Sequence, residues 1–422
     1  MSDGTYYRTT LMISNPSSTS GATCALQLRG GLTVPGFALN YSMGPGGWVI
    51  APTTGTQSFQ SGYASLDCGT AKVEAQLLYS FYAPNGTKLS EATVFSSVPV
   101  STAWVIADHR EGAQLGIAIA NDTNQSVTYT ITVSGATGSP GQVTLLPKTS
   151  TAKFVNQFVS GIPANNVGVV QVTSSSGTAS VIGLRYTGNV FTTIPESSGG
   201  SPLPTTSPYH VFPQFADGKF SDGTFYRTTR MYINPGPSGT ADCTTQLRGV
   251  TTNNINRFTG SLPPANFIVN STAGTQIPLQ SGYATMQCSG APVDAQALYS
   301  FYAPNGAKLS EATVFSSPSA KTVQILSDGR EGAQVGLAIA NDSDQTNTYR
   351  ISVYDVNGAL VGFTTQDLGP RAAVAKFVNQ FVALPPNHYG QVIVSSDTGT
   401  ASIIGLRYTG NVFTTIPETI RP

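Results

Sequence analysis

The sequence predicts an all-β protein made of tandem antiparallel β-sandwich domains with an Ig-like architecture. Short segments such as "YTITV" and "VGVVQVTS" are rich in Val, Ile, Thr and Tyr, and several alternate apolar with polar residues. Turn-forming stretches such as "NPSSTSG" and "PNG" separate these segments. No segment has the helical period of about 3.6 residues. Short strands at this spacing favour sandwiches with Greek-key connections.

The chain is a tandem duplication. Leu78–Ser97 returns at Leu298–Ser317 with one substitution, and Gly183–Glu196 returns unchanged at Gly405–Glu418. The 422 residues therefore consist of two units of about 220 residues each.

Each unit also has a weaker inner repeat. Thr9–Leu28 resembles Leu115–Val133, because both stretches suggest a strand, a polar turn after an Asn and a second strand. We therefore expect a rod-like or bent string of four β-sandwich domains. The predicted domains are 1–100, 101–197, 209–318 and 319–422, and a Gly/Ser/Pro linker occupies 198–208.

The four cysteines occur as two pairs at matching places in the two units. The spacing predicts the disulfides Cys24–Cys68 and Cys243–Cys288, and four buried thiols are the alternative. Two thiols per domain without a nearby His cannot complete a zinc shell, so no metal site is expected there.

Domain one differs from the others at its start. Segments that suggest an opening strand lead into domains two, three and four, and "YHVFPQFADGKF" at Tyr209–Phe220 is the one before domain three. Domain one has no such segment. Either the strand was trimmed away at this point, or the open edge takes a strand from another molecule.

The segments "VFPQFADG", "SEATVFSS" and "GLRYTGNVFTTIP" form a pattern that covers nearly the whole chain. This pattern resembles tandem Ig-like β-sandwich repeats at the C-terminal ends of large secreted proteins of soil bacteria, notably acidobacteria. The resemblance implies an extracellular or cell-surface location and a structural or adhesive role, and it supplies no catalytic residues. The cysteine pairs depart from the bare repeat.

Composition excludes several partners. Charged residues make up only 10% of the chain, and Lys+Arg and Asp+Glu are both 21, so the net charge is zero. Such a surface has no basic field for nucleic acid and no polybasic patch for a membrane. No apolar run is long enough to insert into a bilayer.

Charged residues that recur in both units are the candidates for chemistry. They are Asp3/Asp222, Glu91/Glu311, Asp108/Asp328, Glu111/Glu331 and Glu196/Glu418, with Arg8/Arg227, Arg110/Arg330 and Arg185/Arg407. A glycosidase would need two facing carboxylates in a cleft. Because arginines recur beside the acids, we expect salt bridges that orient loops or pin neighbouring domains. We expect no enzyme activity and no cofactor.

Two other groups of residues are weaker candidates for a functional role. His109, His210 and His388 do not recur and are expected at the surface or in the linker. "NDTNQ" at Asn121–Gln125 and "NDSDQ" at Asn341–Gln345 could hint at calcium, but turns stabilised by their Asn and Asp side chains fit such short loops better.

Aromatic residues alternate along one repeated strand. They are Tyr79, Phe81 and Tyr82, repeated at Tyr299, Phe301 and Tyr302. One face of this strand belongs to the core, and the other is either a domain interface or a platform that stacks against sugars.

The function predicted from the sequence is non-enzymatic. The protein is expected to be an extracellular stalk, surface-layer or filament subunit that associates with itself or with cell-surface or matrix components. The alternative is a carbohydrate-binding module or lectin-like adhesin, in which exposed aromatics would bind glycans.

Overall fold

The computed structural model describes residues 3–34, 36–198, 208–249 and 257–422. Strands are the dominant regular structure of these residues and helix is confined to single turns, so the predicted all-β sandwich class is confirmed. Most of the linker predicted at 198–208 lies outside the described residues. The strands of the first unit are β1 to β16 in chain order, at Tyr6–Ser14, Ala22–Arg29, Asn40–Met43, Trp48–Pro52, Tyr63–Asp67, Glu74–Tyr82, Lys88–Phe95, Thr102–Asp108, Gln114–Asn121, Val127–Val133, Gly141–Leu145, Thr149–Phe154, Val167–Thr173, Ser180–Thr187, Val190–Pro195 and Ser197–Ser198.

The second unit repeats this order with one additional strand. Its strands are β17 to β33, at Tyr209–Lys219, Phe225–Ile233, Ala241–Arg248, Arg257–Leu262, Phe267–Ser271, Gln280–Gly290, Asp294–Tyr302, Lys308–Phe315, Thr322–Asp328, Gln334–Ala340, Asn347–Asp355, Leu360–Leu368, Ala373–Phe377, Tyr389–Ser395, Ser402–Thr409, Val412–Ile416 and Thr419–Ile420. Single helical turns occur at Arg110–Gly112, Val155–Gln157, Arg330–Gly332 and Val378–Phe381.

All four domains share one strand order. A four-stranded sheet has the order β4-β1-β6-β7 in domain one, and β12-β9-β14-β15, β21-β18-β23-β24 and β29-β26-β31-β32 follow the same order in the other three. The second sheet is β3-β2-β5 in domain one, β11-β10-β13-β8-β16 in domain two and β28-β27-β30-β25-β33 in domain four. This shared order is the structural counterpart of the inner repeat in the sequence.

Domain three joins its two sheets through β17. Most of this strand pairs with β22, and its last residues, Gly218 and Lys219, pair with β18. A register shift between Phe212 and Phe215 accompanies the bend, as expected for a bulge that redirects a strand. The two sheets therefore run on into each other in domain three.

Both predicted disulfides are present. Cys24 bonds to Cys68, and Cys243 bonds to Cys288, where the two cysteines lie opposite each other on neighbouring strands β19 and β22. These bonds hold the second sheet of domains one and three, and they indicate a non-reducing environment.

The four domains do not form an open string, so this expectation from the sequence is wrong. The outer strands β7, β15, β24 and β32 meet at one place and contact each other in a ring. Phe95 of domain one packs edge-on against Phe315 of domain three, with ring centroids 4.1 Å apart. The contacts between the two units could not be predicted from the sequence, because they join residues that are far apart in the chain and follow no local pattern.

Apolar side chains continue across this junction. Met12 and Leu78 of domain one are buried in the core cluster of domain four, and Met231, Ile233 and Leu298 of domain three are buried in that of domain two. The first domain of each unit therefore packs against the second domain of the other unit: domain one against domain four, and domain three against domain two.

Candidate functional site at the junction of the two units

Two buried ion pairs join the units. Arg185 Nη1 of domain two donates to both carboxylate oxygens of Glu311 in domain three, at 2.7 and 2.9 Å. Arg407 Nη1 of domain four makes the same contacts with Glu91 of domain one, at 2.8 and 2.9 Å. All four residues are 3% exposed or less.

The backbone of a turn fixes each arginine. Arg185 lies on β14, and its Nε donates to Asp108 O at 2.9 Å while its Nη2 donates to Arg110 O at 3.1 Å. Arg407 makes the equivalent bonds to Asp328 O and Arg330 O. Two backbone carbonyls of the "DxREG" turn, at Asp108–Gly112 and Asp328–Gly332, therefore accept hydrogen bonds that orient the guanidinium toward the other unit.

The glutamate of the same turn contacts the other unit through its carboxylate. Glu111 has a positive φ of 62°, which is uncommon for a residue with a side chain, and Glu331 has the same value. Glu111 accepts a hydrogen bond from Tyr302 Oη at 2.8 Å and pairs with Arg227. Glu331 does the same with Tyr82, also at 2.8 Å, and with Arg8.

The two buried glutamates remain ionised. Burial alone would raise the pKa of Glu311, but Arg185 and Lys308 outweigh it and lower that pKa to about 2. The pKa of Glu91 is lowered in the same way by Arg407 and Lys88, against its own burial. Ser80 and Ser300 add a hydroxyl donor to each carboxylate.

Hydroxyl groups complete the junction. Ser90 Oγ accepts from Phe191 N at 3.0 Å, which links domains one and two, and Ser310 repeats this contact with Phe413 at 2.9 Å. Thr415 Oγ1 donates to Thr313 O at 2.8 Å between domains four and three. These Ser and Thr side chains satisfy backbone groups that would otherwise be buried without partners.

A polar cavity of about 220 Å³ lies beside one of the ion pairs. Its charged lining residues are Asp108, Arg110, Glu111, Arg185, Arg227, Lys308 and Glu311. Because the carboxylates there are already held by arginine, lysine or tyrosine, the arrangement is typical of structural ion pairs. The expectation that recurring acids and arginines form salt bridges is confirmed for these residues: Asp108–Arg110 orients the turn, and Arg185–Glu311 and Arg227–Glu111 join domains two and three.

A second pair of recurring carboxylates behaves differently. Glu196 accepts a hydrogen bond from Ser97 Oγ at 2.6 Å, across the boundary between domains one and two. Burial raises the pKa of Glu196 to about 7 and that of Glu418 to about 7, although serine hydroxyls act in the opposite direction. Within the described part of the chain, neither side chain forms an ion pair like those of Glu91 and Glu311.

The six repeated aromatics lie inside the molecule. Phe81, Tyr82, Tyr299 and Tyr302 are buried, and Tyr79 and Phe301 are half-buried. Tyr82 and Tyr302 each donate a hydrogen bond to a glutamate of the other unit, so these two side chains lie at the interface between the units. The ring faces of these six residues form no exposed platform.

The expectation for two histidines is wrong. His210 is fully buried on β17, where its Nε2 is 2.8 Å from Val293 O, and His388 is also buried. The opening strand predicted at Tyr209–Phe220 is present as β17 at Tyr209–Lys219, and this strand carries His210 into the core. The reading of the Asn turns is confirmed, since Asn121 Nδ2 donates to Gln125 O at 2.8 Å and Asn341 makes the same bond to Gln345.

Lys88, Lys308 and the threonines of the junction are functional residues that were not among the candidates from the sequence. Lys88 and Lys308 are largely buried beside Glu91 and Glu311. The signal was available, because "KLSEATVF" recurs without a change and carries the lysine, the glutamate, the serine and the threonine. An unchanged stretch of strand with alternating polar residues indicates a polar face that is buried.

Comparison with known protein families, with curated proteins and with solved structures found no match to this chain. Among the described residues, no helix is long and apolar enough to cross a membrane. Within the same part of the chain, no group of three His, Cys, Asp or Glu side chains could hold a metal ion.

Breaking one buried pair should destabilise the junction strongly. In Arg185→Met, Glu311 keeps a buried charge without its guanidinium, so we expect a loss of about 3–5 kcal/mol in the free energy of unfolding in urea. The double variant Arg185→Met/Glu311→Met should recover most of this loss. Lys148→Met removes a half-exposed pair with Asp122 and should cost about 1 kcal/mol or less. Equal losses in Arg185→Met and Lys148→Met would contradict the account.

Stability should also depend on pH through Glu196 and Glu418. Their pKa is higher in the folded chain than in the unfolded one, so their contribution is complete below about pH 4.5 and is lost as pH rises through 7. The slope is at most about 1.4 kcal/mol per pH unit for each residue. Urea unfolding of Glu196→Gln/Glu418→Gln should show a flatter profile between pH 4.5 and 7.5. The exposed control Asp397→Asn should keep the slope, and an unchanged slope in the double variant would refute the assignment.

Proposed function

We propose that the chain is a non-enzymatic extracellular structural or adhesive protein, a stalk, surface-layer or filament subunit built from β-sandwich contacts. One observation carries the proposal. The buried pairs Arg185–Glu311 and Arg407–Glu91 join the two units, and the pairs Arg227–Glu111 and Arg8–Glu331 join them again beside the buried pairs. Recurring charges with this role support a mechanical function.

Composition supports association with other surfaces. With zero net charge and only 10% charged residues, copies of the chain do not repel each other over long distances. Self-association or contact with cell-surface or matrix components is the expected mode of action. The remaining surface consists mainly of Ser, Thr, Asn, Gln and Gly.

Two further observations support an extracellular location. The two disulfides require a non-reducing environment. The sequence also resembles tandem repeats of secreted proteins of soil bacteria, whose implied place is the cell surface. The disulfides support a non-reducing compartment, and the resemblance supports secretion by a bacterial cell.

A carbohydrate-binding role has less support. It relied on Tyr79, Phe81, Tyr82 and their repeats as a stacking platform, and these rings are buried or half-buried. Stacking against a sugar requires an accessible aromatic face. No other specific observation favours glycans.

The proposal is tested by negative-stain electron microscopy over a concentration series, combined with a pull-down on bacterial cells and isolated matrix. We expect ordered assemblies or attachment to cells, because weakly charged sandwich surfaces can approach closely. Isolated particles at every concentration, with no attachment to cells or matrix, would overturn the proposal. Binding confined to a glycan array would instead favour the lectin alternative.

A further inference from the structure

A small cavity lies between domains two and three, and it shares no lining residue with the larger polar cavity beside the ion pair. Its volume of about 20 Å³ is room for one particle of the size of a water molecule. Three of its lining residues carry carboxylate or amide oxygens, and these three come from both units. Most of the other walls are apolar, formed by Ile106, Pro195, Met231, Ile233 and Phe315.

Two carboxylates from different units line this cavity. Glu196 follows strand β15 of domain two, and Asp294 begins strand β23 of domain three. Asp294 is only 6% exposed. Burial raises the pKa of Glu196 to about 7, and the charge of Asp294 acts in the same direction. The two carboxylates therefore lie close enough to repel each other, and a cation between them would remove this repulsion.

An amide carbonyl lies beside the carboxylates. Gln296 lines the same cavity and is 6% exposed, and its Oε1 has no hydrogen-bond partner. Its Nε2 lies 3.7 Å from Met231 Sδ, which is a weak acceptor. A buried carbonyl oxygen without a donor is unfavourable and uncommon. A positive ion in the cavity would give this oxygen the partner that it lacks.

The local structure brings the three groups to one cavity. Asp294 and Gln296 are two residues apart on β23, so their side chains lie on the same face of the sheet. That face also carries Leu298, which is buried in the core cluster of domain two. On the side of domain two, Ser97 Oγ donates to Glu196 Oε1 at 2.6 Å and helps to fix the position of that carboxylate.

This set of oxygens matches the ligands of calcium. Ca²⁺ binds carboxylates and amide carbonyls, and it takes about six to eight oxygen ligands in a flexible geometry. Two ionised carboxylates balance the charge of the ion, and the amide carbonyl adds a neutral ligand. Because the third ligand is an amide, this set is not one of the clusters of three His, Cys, Asp or Glu side chains, which the described residues lack.

We propose that this cavity binds one calcium ion through the carboxylates of Glu196 and Asp294 and through Oε1 of Gln296. Water molecules or backbone carbonyls complete the shell. The ion joins domain two to domain three, which the ion pair Arg185–Glu311 also joins. It is thus a second, metal-dependent link between the two units. The inference concerns this junction and does not depend on the structural or adhesive role proposed above.

The other copy of the junction offers a matched control. Glu418, Glu74 and Gln76 are the equivalent residues in domains four and one. Gln76 Oε1 also lacks a partner, but Glu74 is exposed to solvent, whereas its equivalent Asp294 is buried. Water competes for an exposed carboxylate, so we expect this copy to bind calcium far more weakly.

The first test is a calorimetric titration of the full chain with calcium chloride. The chain is freed of metals with a chelator and dialysed to pH 8, above the pKa of about 7 of Glu196. We expect one ion to bind per chain with a Kd at or below about 1 mM, the range of extracellular calcium modules. Absence of binding up to about 10 mM calcium would overturn the proposal.

Variants of the two ligands from domain three locate the site. Asp294→Asn loses a negative charge and Gln296→Met loses an oxygen ligand, so each should weaken calcium binding by at least about tenfold. Glu74→Gln makes the corresponding change in the other copy and should bind calcium like the parent chain. Binding that both domain-three variants leave unchanged, or an equal loss in Glu74→Gln, would show that this cavity is not the site.

Urea unfolding separates the loss of a ligand from the loss of the fold. Unfolding in a chelator establishes that each variant is folded, and Gln296→Met carries the comparison if Asp294→Asn is not. Calcium at about ten times its Kd should raise the unfolding midpoint of the parent chain and of Glu74→Gln, but not that of the two domain-three variants. An equal rise in all four proteins would contradict the proposal, because the ion would then bind elsewhere.

Discussion

The structure depends on a buried guanidinium–carboxylate contact that is made twice. Arg185 reaches Glu311, and Arg407 reaches Glu91, each from the second domain of one unit to the first domain of the other. Burying these charges is costly, and the cost is offset only because the arginines also donate to turn carbonyls and the glutamates also accept from lysine and serine. The repeated turns supply the carbonyls that bind the arginines, and the repeated hairpins supply the lysine and serine donors that bind the glutamates.

The two contacts are related to each other as the contacts of a symmetric dimer are, although both lie within one chain. A residue of the first unit contacts a partner in the second, and the equivalent residue of the second unit contacts the equivalent partner in the first, as in an isologous interface. Duplication thus placed both halves of a self-complementary surface on one polypeptide. Among the described residues, the two halves differ at strand β17, which joins the two sheets of domain three.

Much of the fold could be predicted from the sequence, because strand periodicity, turn residues and cysteine spacing are local signals. The same signals predicted the inner repeat and both disulfides, whereas the strand order of the sheets became visible only in the structure. The arrangement of the domains could not be predicted, since it depends on contacts between residues such as Arg407 and Glu91 that are far apart in the chain. The acids and arginines were recognised as partners by their recurrence, but their recurrence does not say which copy pairs with which. His210 was misplaced because the expectation used only its lack of a counterpart in the other unit, although the opening strand that carries it was predicted.

The most direct test of the central claim is small-angle X-ray scattering of the full chain in solution. Four domains that meet at one junction predict a radius of gyration of about 22–26 Å, close to the value for a compact chain of this length. A radius above about 30 Å, with the scattering profile of a string of separate beads, would mean that the buried pairs do not hold the two units together.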